Sequence, residues 1–158
     1  MILKLVYRKQ KYPHSCGPAV LEMMLHAAGT RVSHERLIRD TKATPTYGTS
    51  RADMIRVLRQ YGLHTHTHIN SSLAEITFFL QHHIPVAVNY RDLVENQGHF
   101  AVVVGIKNNV VYLHDPDYQA HYKIPAKVFM RRWHGRHLTT NRKWILTASN
   151  SPLPSFHH

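Results

Sequence analysis

The apolar residues of this chain change their period once, near residue 82, and that switch restricts the folds open to it. Before the switch the spacing is helical. Val20, Leu21, Met23, Met24 and Leu25 cover most of a helical circumference, which predicts a buried helix from Cys16 to about Ala28. Pro18 suits its first turn, where a missing N–H costs nothing, and Gly29 suits its end. Ser33 is placed to cap a short helix through about Asp40. Ser50 with Asp53, and Ser72 with Glu75, have capping-box spacing and open helices that end before Gly62 and near Gln81. "TPTYGTS" reads as a loop. After the switch, "PVAVNY", "HFAVVVGI", "VVYLHD" and "KWILTAS" are β-branched and aromatic runs between turn residues, the pattern of strands. Helices first and strands later predict an α+β fold with an antiparallel sheet.

A length of 158 residues fits one domain, expected over residues 1–149, with "NSPLPSFHH" as a flexible tail over 150–158. The single cysteine excludes an internal disulfide and with it a disulfide-stapled scaffold. "MILKLVYRKQ" has neither a long apolar stretch nor a small-residue cleavage site, and no apolar run is long enough to span a bilayer. These features predict a cytoplasmic protein without a signal peptide. Twenty Lys and Arg against nine Asp and Glu give a net charge of +11, which draws polyanions: nucleic acid, acidic membrane surfaces or acidic peptides.

The sole cysteine, in "KYPHSCGPAV", sits where a polar loop becomes the first helix. A helix N-terminus stabilises a thiolate, and its N–H groups can hold an oxyanion. Gly17 leaves room for a substrate backbone. A buried structural cysteine is the plainer alternative. A nucleophilic thiol needs a base, and the base needs a group to orient it. Of the fifteen histidines, His99 has the best context, following "NQG" and opening a strand. Asp115, in "HDPD", closes the next strand, although an aspartate before proline also suits an Asx-turn. A three-residue loop at Lys107–Asn109 pairs position 101 with 115 and puts His99 and Asp115 on one face. A two-residue Asn108-Asn109 turn puts them on opposite faces.

Gln10, Cys16 six positions later, "GHF" at His99 and "DP" at Asp115 together resemble the papain-like cysteine peptidases that process bacteriocin and other peptide-export leaders after a double glycine. The resemblance extends to the "TYGTS" loop and the late "VFMRRW" segment. It implies a papain-like fold, with Cys16 as nucleophile, His99 as base, Asp115 as its orienter and Gln10 as an oxyanion donor. It also implies a peptide or protein substrate, an acidic one given the charge, no cofactor, and an export transporter as a possible associate. Many members have an acidic residue before the cysteine where this chain has Ser15, and exporter-fused members continue into a membrane domain and an ATPase. The chain is therefore expected to be a stand-alone or excised peptidase.

Other readings compete. A Cys-His-Asp amidase or acyltransferase uses the same groups, and a papain-like domain can bind peptides without cutting them. His64, His66 and His68 alternate and would line one face of a strand as possible metal ligands. No neighbouring carboxylate is evident to complete a metal set, so a solvated edge strand is preferred and no metal is expected. Arg131, Arg132, Arg136, Arg142 and Lys143 cluster around Trp133 and Trp144, and base stacking on such indoles is a route to nucleic-acid binding. Phe129 and Trp133, at i and i+4, more simply pack into the core. Nucleic acid is accordingly not expected as the main partner.

Overall fold

A computed structural model of the chain describes residues 1–135 and 142–157. Three helices come first: α1 (Cys16–Ala27), α2 (His34–Thr41) and α3 (Arg51–Gln60). The strand β1 (His64–His68) and helix α4 (Leu73–Gln81) follow. Then come β2 (Val86–Arg91), β3 (Gly98–Lys107), β4 (Val110–His114), β5 (Tyr122–Pro125), α5 (Ala126–Arg132) and β6 (Ile145–Ser149). The strands form one antiparallel sheet in the order β1-β6-β2-β3-β4-β5. This is the predicted α+β architecture, with α1 and α4 packed on the central strand β3.

Serine caps fix the helix starts. The hydroxyls of Ser33, Ser50 and Ser72 accept the N–H groups of Arg36, Asp53 and Glu75. The Ser72–Glu75 box is only half made, however. The Glu75 carboxylate, almost fully buried, turns away from the helix start and accepts hydrogen bonds from Ser71 Oγ (2.7 Å), His68 Nδ1 (2.6 Å) and His66 Nε2 (3.3 Å). The alternating histidines therefore do have a carboxylate neighbour, contrary to the sequence expectation, because α4 crosses next to the edge strand β1. No group of three His, Cys, Asp or Glu among the described residues is arranged to hold a metal ion.

The β3–β4 hairpin closes through two residues, Asn108 and Asn109, both at positive φ (52° and 61°). That is the turn expected to separate His99 from Asp115. A β-bulge corrects it. The register runs Lys107↔Val110, Ile106↔Val111 and Gly105↔Tyr112, then slips by one at Val104 and resumes as Val103↔Leu113 and Val102↔His114. Continued by one pair, the shifted register sets Ala101 opposite Asp115. One unpaired residue thus exchanges the faces of everything beyond it.

Two elements were not read from the sequence, β5 and α5, and the second carries Arg131 and Arg132 of the late basic cluster. Phe129 and Trp133 pack with ring centroids 5.2 Å apart, and both are buried, as the i, i+4 spacing predicts. Trp133 and Trp144 expose 1% and 3% of their surface, so neither offers a face to a stacked base. Arg136 lies outside the described residues. Beyond β6, Asn150 donates to the Ala28 carbonyl (3.1 Å), Leu153 packs on the core, and Phe156 meets Phe78 with centroids 5.4 Å apart. No described helix is long and apolar enough to cross a membrane.

Burial alone pushes the Glu75 carboxyl up, but the bonds from Ser71, His68 and His66 outweigh it and hold the group below its ordinary range. A depressed carboxyl contributes stability that is complete above its unfolded pKa and is lost as pH falls through the folded one. Glu75→Gln is expected to cost about 1–3 kcal/mol near neutral pH, the range for a buried partner left unsatisfied. Urea unfolding at pH 7 and at pH 4 checks this: the gap between parent and variant narrows at the lower pH.

Candidate active site

Ser15 occupies the N-cap position of α1 yet makes no side-chain cap. Its buried hydroxyl instead donates to the Tyr12 carbonyl (3.0 Å) and accepts the Tyr12 N–H (3.1 Å). The His34 Nε2 lies 3.0 Å from the same oxygen. The same nitrogen accepts the Lys11 N–H (3.4 Å), so it carries the lone pair, and the Ser15 proton is shared between it and the Tyr12 carbonyl. His34 Nδ1 faces Glu22 Oε1 at 3.5 Å, and Glu22 Oε2 is held by Arg8 Nε at 2.8 Å. Burial lowers the His34 pKa, with Glu22 opposing, which suits a neutral ring. The Tyr12–Ser15 turn is thereby clamped in place, and the first turn of α1 keeps its N–H groups for another occupant.

Cys16, the first residue of α1, is half-buried at the junction of two clefts. His99, at the start of β3, lines both clefts with it. The His99 Nε2 is taken by Asp115 Oδ1 at 2.7 Å, which leaves Nδ1 for the thiol. Asp115 is fully buried. Its Oδ1 also accepts the N–H groups of Asp117 (2.9 Å) and Tyr118 (3.2 Å), and its Oδ2 accepts the Tyr90 hydroxyl. One carboxylate thus makes both the Asx-turn contacts and the contact to the His99 ring.

Burial alone would lower the His99 pKa, but the Asp115 and Cys16 hydrogen bonds and charges outweigh it and raise it well above the ordinary imidazole value. Burial and the Asp115 charge push the Tyr90 hydroxyl far up, so it remains a donor at any physiological pH. The Tyr7 hydroxyl donates to the Asp115 carbonyl (2.6 Å) and is pushed up to about 12 by burial and by Asp115. Tyr7 and Tyr90 were missed by sequence reasoning. Tyr90 is opposite His99 in the β2–β3 register, and only knowledge of that pairing would have flagged it.

Gln10 lies beside Cys16 and His99 in one cleft, of about 410 Å³, together with Lys11 and Asp117. Its Nε2 donates to the carbonyls of Tyr12 (2.9 Å) and Pro13 (3.2 Å), so both amide protons are engaged, and its Oε1 is buried without a partner. The second cleft, of about 760 Å³, runs between the Thr46–Thr49 loop and the strand ends that carry Asn89 and Gly98. A Cβ on Gly17 would meet the Thr49 Cβ at 2.7 Å, so glycine is required for this loop to close against α1. All four expected site residues thus come together. A thiol paired to a raised imidazole, with helix N–H groups alongside, can attack a carbonyl carbon and pass a proton to a leaving group.

Because Asp115 and Cys16 both raise the His99 pKa, removing either charge must lower it. A group raised on folding stabilises the fold fully below its unfolded pKa, and that contribution is lost as pH rises through the folded value. NMR titration of the His99 ring is expected to show a midpoint well above 6.5 in the parent. The midpoint falls in Asp115→Asn and again in Cys16→Ala. An unmoved midpoint in both would contradict the arrangement.

No curated protein sequence matches the chain at a significant level. Solved structures do, across nearly its whole length. The double-glycine-motif protease from an AMS/PCAT transporter, solved with a leader peptide, superposes with a TM-score of 0.73 at 22% identity and covers 94% of each chain. The peptidase domain of Streptococcus ComA, a bi-functional ABC transporter of a quorum-sensing pathway, gives 0.72 at 21% identity over 94% of this chain and 99% of that one. A C39-like peptidase from Bacillus anthracis gives 0.76 at 16% identity, with 93% and 96% covered. These likenesses establish a shared papain-like fold. The model of the Peptidase C39 family matches residues 4–144, and the chain belongs to that family.

Proposed function

We propose that this chain is a cysteine peptidase that cuts a leader or precursor peptide after small residues, a double glycine being the first candidate. The observation that supports this most is the meeting of Cys16 and the Asp115-bonded His99 ring where two clefts join. In this reading the Cys16 sulfur attacks the scissile carbonyl carbon. The His99 proton passes to the departing amine as the C–N bond breaks, leaving a thioester. Water, deprotonated by His99, then releases the acid and regenerates the thiol. Asp115 keeps the ring in the orientation that presents Nδ1 to sulfur.

The tetrahedral oxyanion is assigned to the N–H groups at the start of α1 and to Gln10. For Gln10 to serve, one amide proton must leave its carbonyl, and the longer bond, to Pro13 at 3.2 Å, is the one to release. The relatives named for double-glycine and leader-peptide processing motivate the substrate class. The transporter peptidases among them motivate an exporter as associate. A net charge of +11 suits an acidic peptide.

Cys16→Ala is expected to abolish cleavage of a Gly-Gly peptide followed by mass spectrometry, with the fold retained. Gln10→Ala is expected to lower kcat with little change in KM. Its cost is about 2.7–4 kcal/mol of transition-state stabilisation, the range for one oxyanion donor. A Cys16→Ala protein that cuts as fast as the parent would overturn the assignment.

Charge steering has its own signature. Exposed charges act mainly on encounter and are screened over about 8 Å at physiological ionic strength. For an acidic Gly-Gly peptide, kcat/KM is expected to fall as salt rises while kcat holds nearly constant. A neutral peptide with the same scissile bond is expected to show no such fall.

A further inference from the structure

The buried imidazole behind the Ser15 turn has no part in the chemistry above, yet it touches the loop that carries Gln10 and Cys16. His34 opens α2 and is buried. Its Nε2 accepts the Lys11 N–H (3.4 Å) and lies 3.0 Å from Ser15 Oγ. Lys11 follows Gln10 directly, and Ser15 directly precedes Cys16. Resting on the peptidase reading above, we propose that His34 is a positioning residue and a proton-operated switch: with Nε2 unprotonated it holds the Gln10–Cys16 loop in its working shape, and protonation releases the loop and turns cleavage off.

The ring has a different set of partners in each protonation state. While Nε2 carries a lone pair, the proton of the neutral imidazole sits on Nδ1. Nδ1 is buried and lacks a hydrogen-bond partner. A buried polar atom left so is uncommon in a native fold. The Glu22 carboxylate of α1 stands 3.5 Å away, with Arg8 on its other oxygen. Glu22 in turn lines a cleft of about 190 Å³ with Arg8, His26 and Arg31, so it is reachable from solvent. Protonation leaves the ring with two donors and no acceptor. Nε2–H then faces the Lys11 N–H, and that contact turns from a bond into a repulsion. Nδ1–H, on a ring that is now charged, is drawn to Glu22 and away from the loop. The Ser15 proton loses its share in the ring and stays with the Tyr12 carbonyl.

The charges around the ring set where the switch lies. Burial lowers the His34 pKa and Lys11 adds to the fall, while Glu22 and the adjacent Glu35 oppose it. The net fall keeps the ring neutral at pH 7, so the loop is held there and let go in acid. His99 is shifted the opposite way, so the two imidazoles of the site take up protons in separate pH ranges. The oxyanion donors depend on the held loop. Gln10 Nε2 donates to the Tyr12 and Pro13 carbonyls of the same turn, so Gln10 moves with it. The first N–H groups of α1 follow Ser15 directly. Release displaces donors that act on the transition state, which lowers kcat rather than raising KM.

Two measurements test this. The first needs no substrate: NMR follows the His34 ring and the Lys11 and Ser15 amides of the parent from pH 8 to pH 4. The ring midpoint is expected below 6.5, with both amides shifting at that same midpoint. Glu22→Gln removes a charge that raises the ring and is expected to move all three midpoints down together. Amides that follow His99 instead, or do not titrate, overturn the switch. The second measures kcat and KM on a Gly-Gly peptide over the same range. The parent is expected to lose kcat at the His34 midpoint with KM little changed. His34→Gln puts a neutral acceptor near the Nε2 position, so it is expected to keep most of the kcat at pH 7 and to lose the acid step. His34→Leu has no acceptor and is expected to lose about tenfold in kcat at every pH, the effect of one hydrogen bond. Thermal melts check that each variant folds, and the parent titration needs no variant at all. A His34→Gln protein that keeps the acid step, or is as slow at pH 7 as His34→Leu, rejects the proposal while leaving the peptidase intact. If no peptide is cut, the peptidase reading fails by itself, and the NMR midpoints alone then decide whether His34 holds the loop.

Discussion

The candidate site depends on a single carboxylate held out of water. Asp115 is fully buried, and a charge in that position is tolerable only if its oxygens are saturated with donors. The donors come from separate parts of the chain: His99 on β3, Tyr90 on β2, and the N–H groups of Asp117 and Tyr118 just past β4. Tyr7 in the N-terminal segment grips the backbone carbonyl of the same residue. The Gln10 N–H bonds the Pro116 carbonyl (2.9 Å), tying the loop before Cys16 to the turn after Asp115. The acid is therefore a point where the two halves of the fold, helical and β, are joined, and the imidazole orientation follows from that joint.

Much of this was legible in the sequence because its signals are local. A cysteine at the start of an apolar helix, a histidine opening a strand and an aspartate before proline are each visible within ten residues. The serine caps of α2, α3 and α4 are local too, and they hold at Ser33, Ser50 and Ser72. What failed was the inference from turn length to register. Asn108 and Asn109 do form the two-residue turn, but the bulge at Val104 cancels its consequence. A bulge inside "FAVVVGI" leaves no trace in a run of valines. The partners of Asp115 and of Glu75 were equally hidden, because they arrive from strands and helices whose adjacency is a tertiary fact.

Ser15 shows how a local rule gives way beside a site. Serine at an N-cap position ordinarily accepts an N–H of its own helix. Here the hydroxyl is spent on the Tyr12 turn and on His34, so the rule is broken where the chain would most easily obey it. The omission has a use. An oxyanion at the sulfur needs the same N–H groups that a cap would consume, and a capped helix would meet the substrate with its donors already engaged. The stability forgone, about 1 kcal/mol for a typical cap, is offset by clamping the preceding turn from behind.

Two buried carboxylates in this chain hold histidines, and comparing them explains why only one pair is a candidate for chemistry. Glu75 takes both His66 and His68 together with Ser71, which fastens the edge strand β1 to α4. The sole cysteine is elsewhere, so these imidazoles have no thiol to activate. Asp115 takes one histidine, and that ring shares two clefts with the thiol. The carboxylate–histidine contact is alike in distance, 2.6 Å to His68 and 2.7 Å to His99. What separates an anchoring contact from a reactive one is the second nitrogen: whether it faces a group that can gain or lose a proton next to a cleft wide enough to admit a peptide.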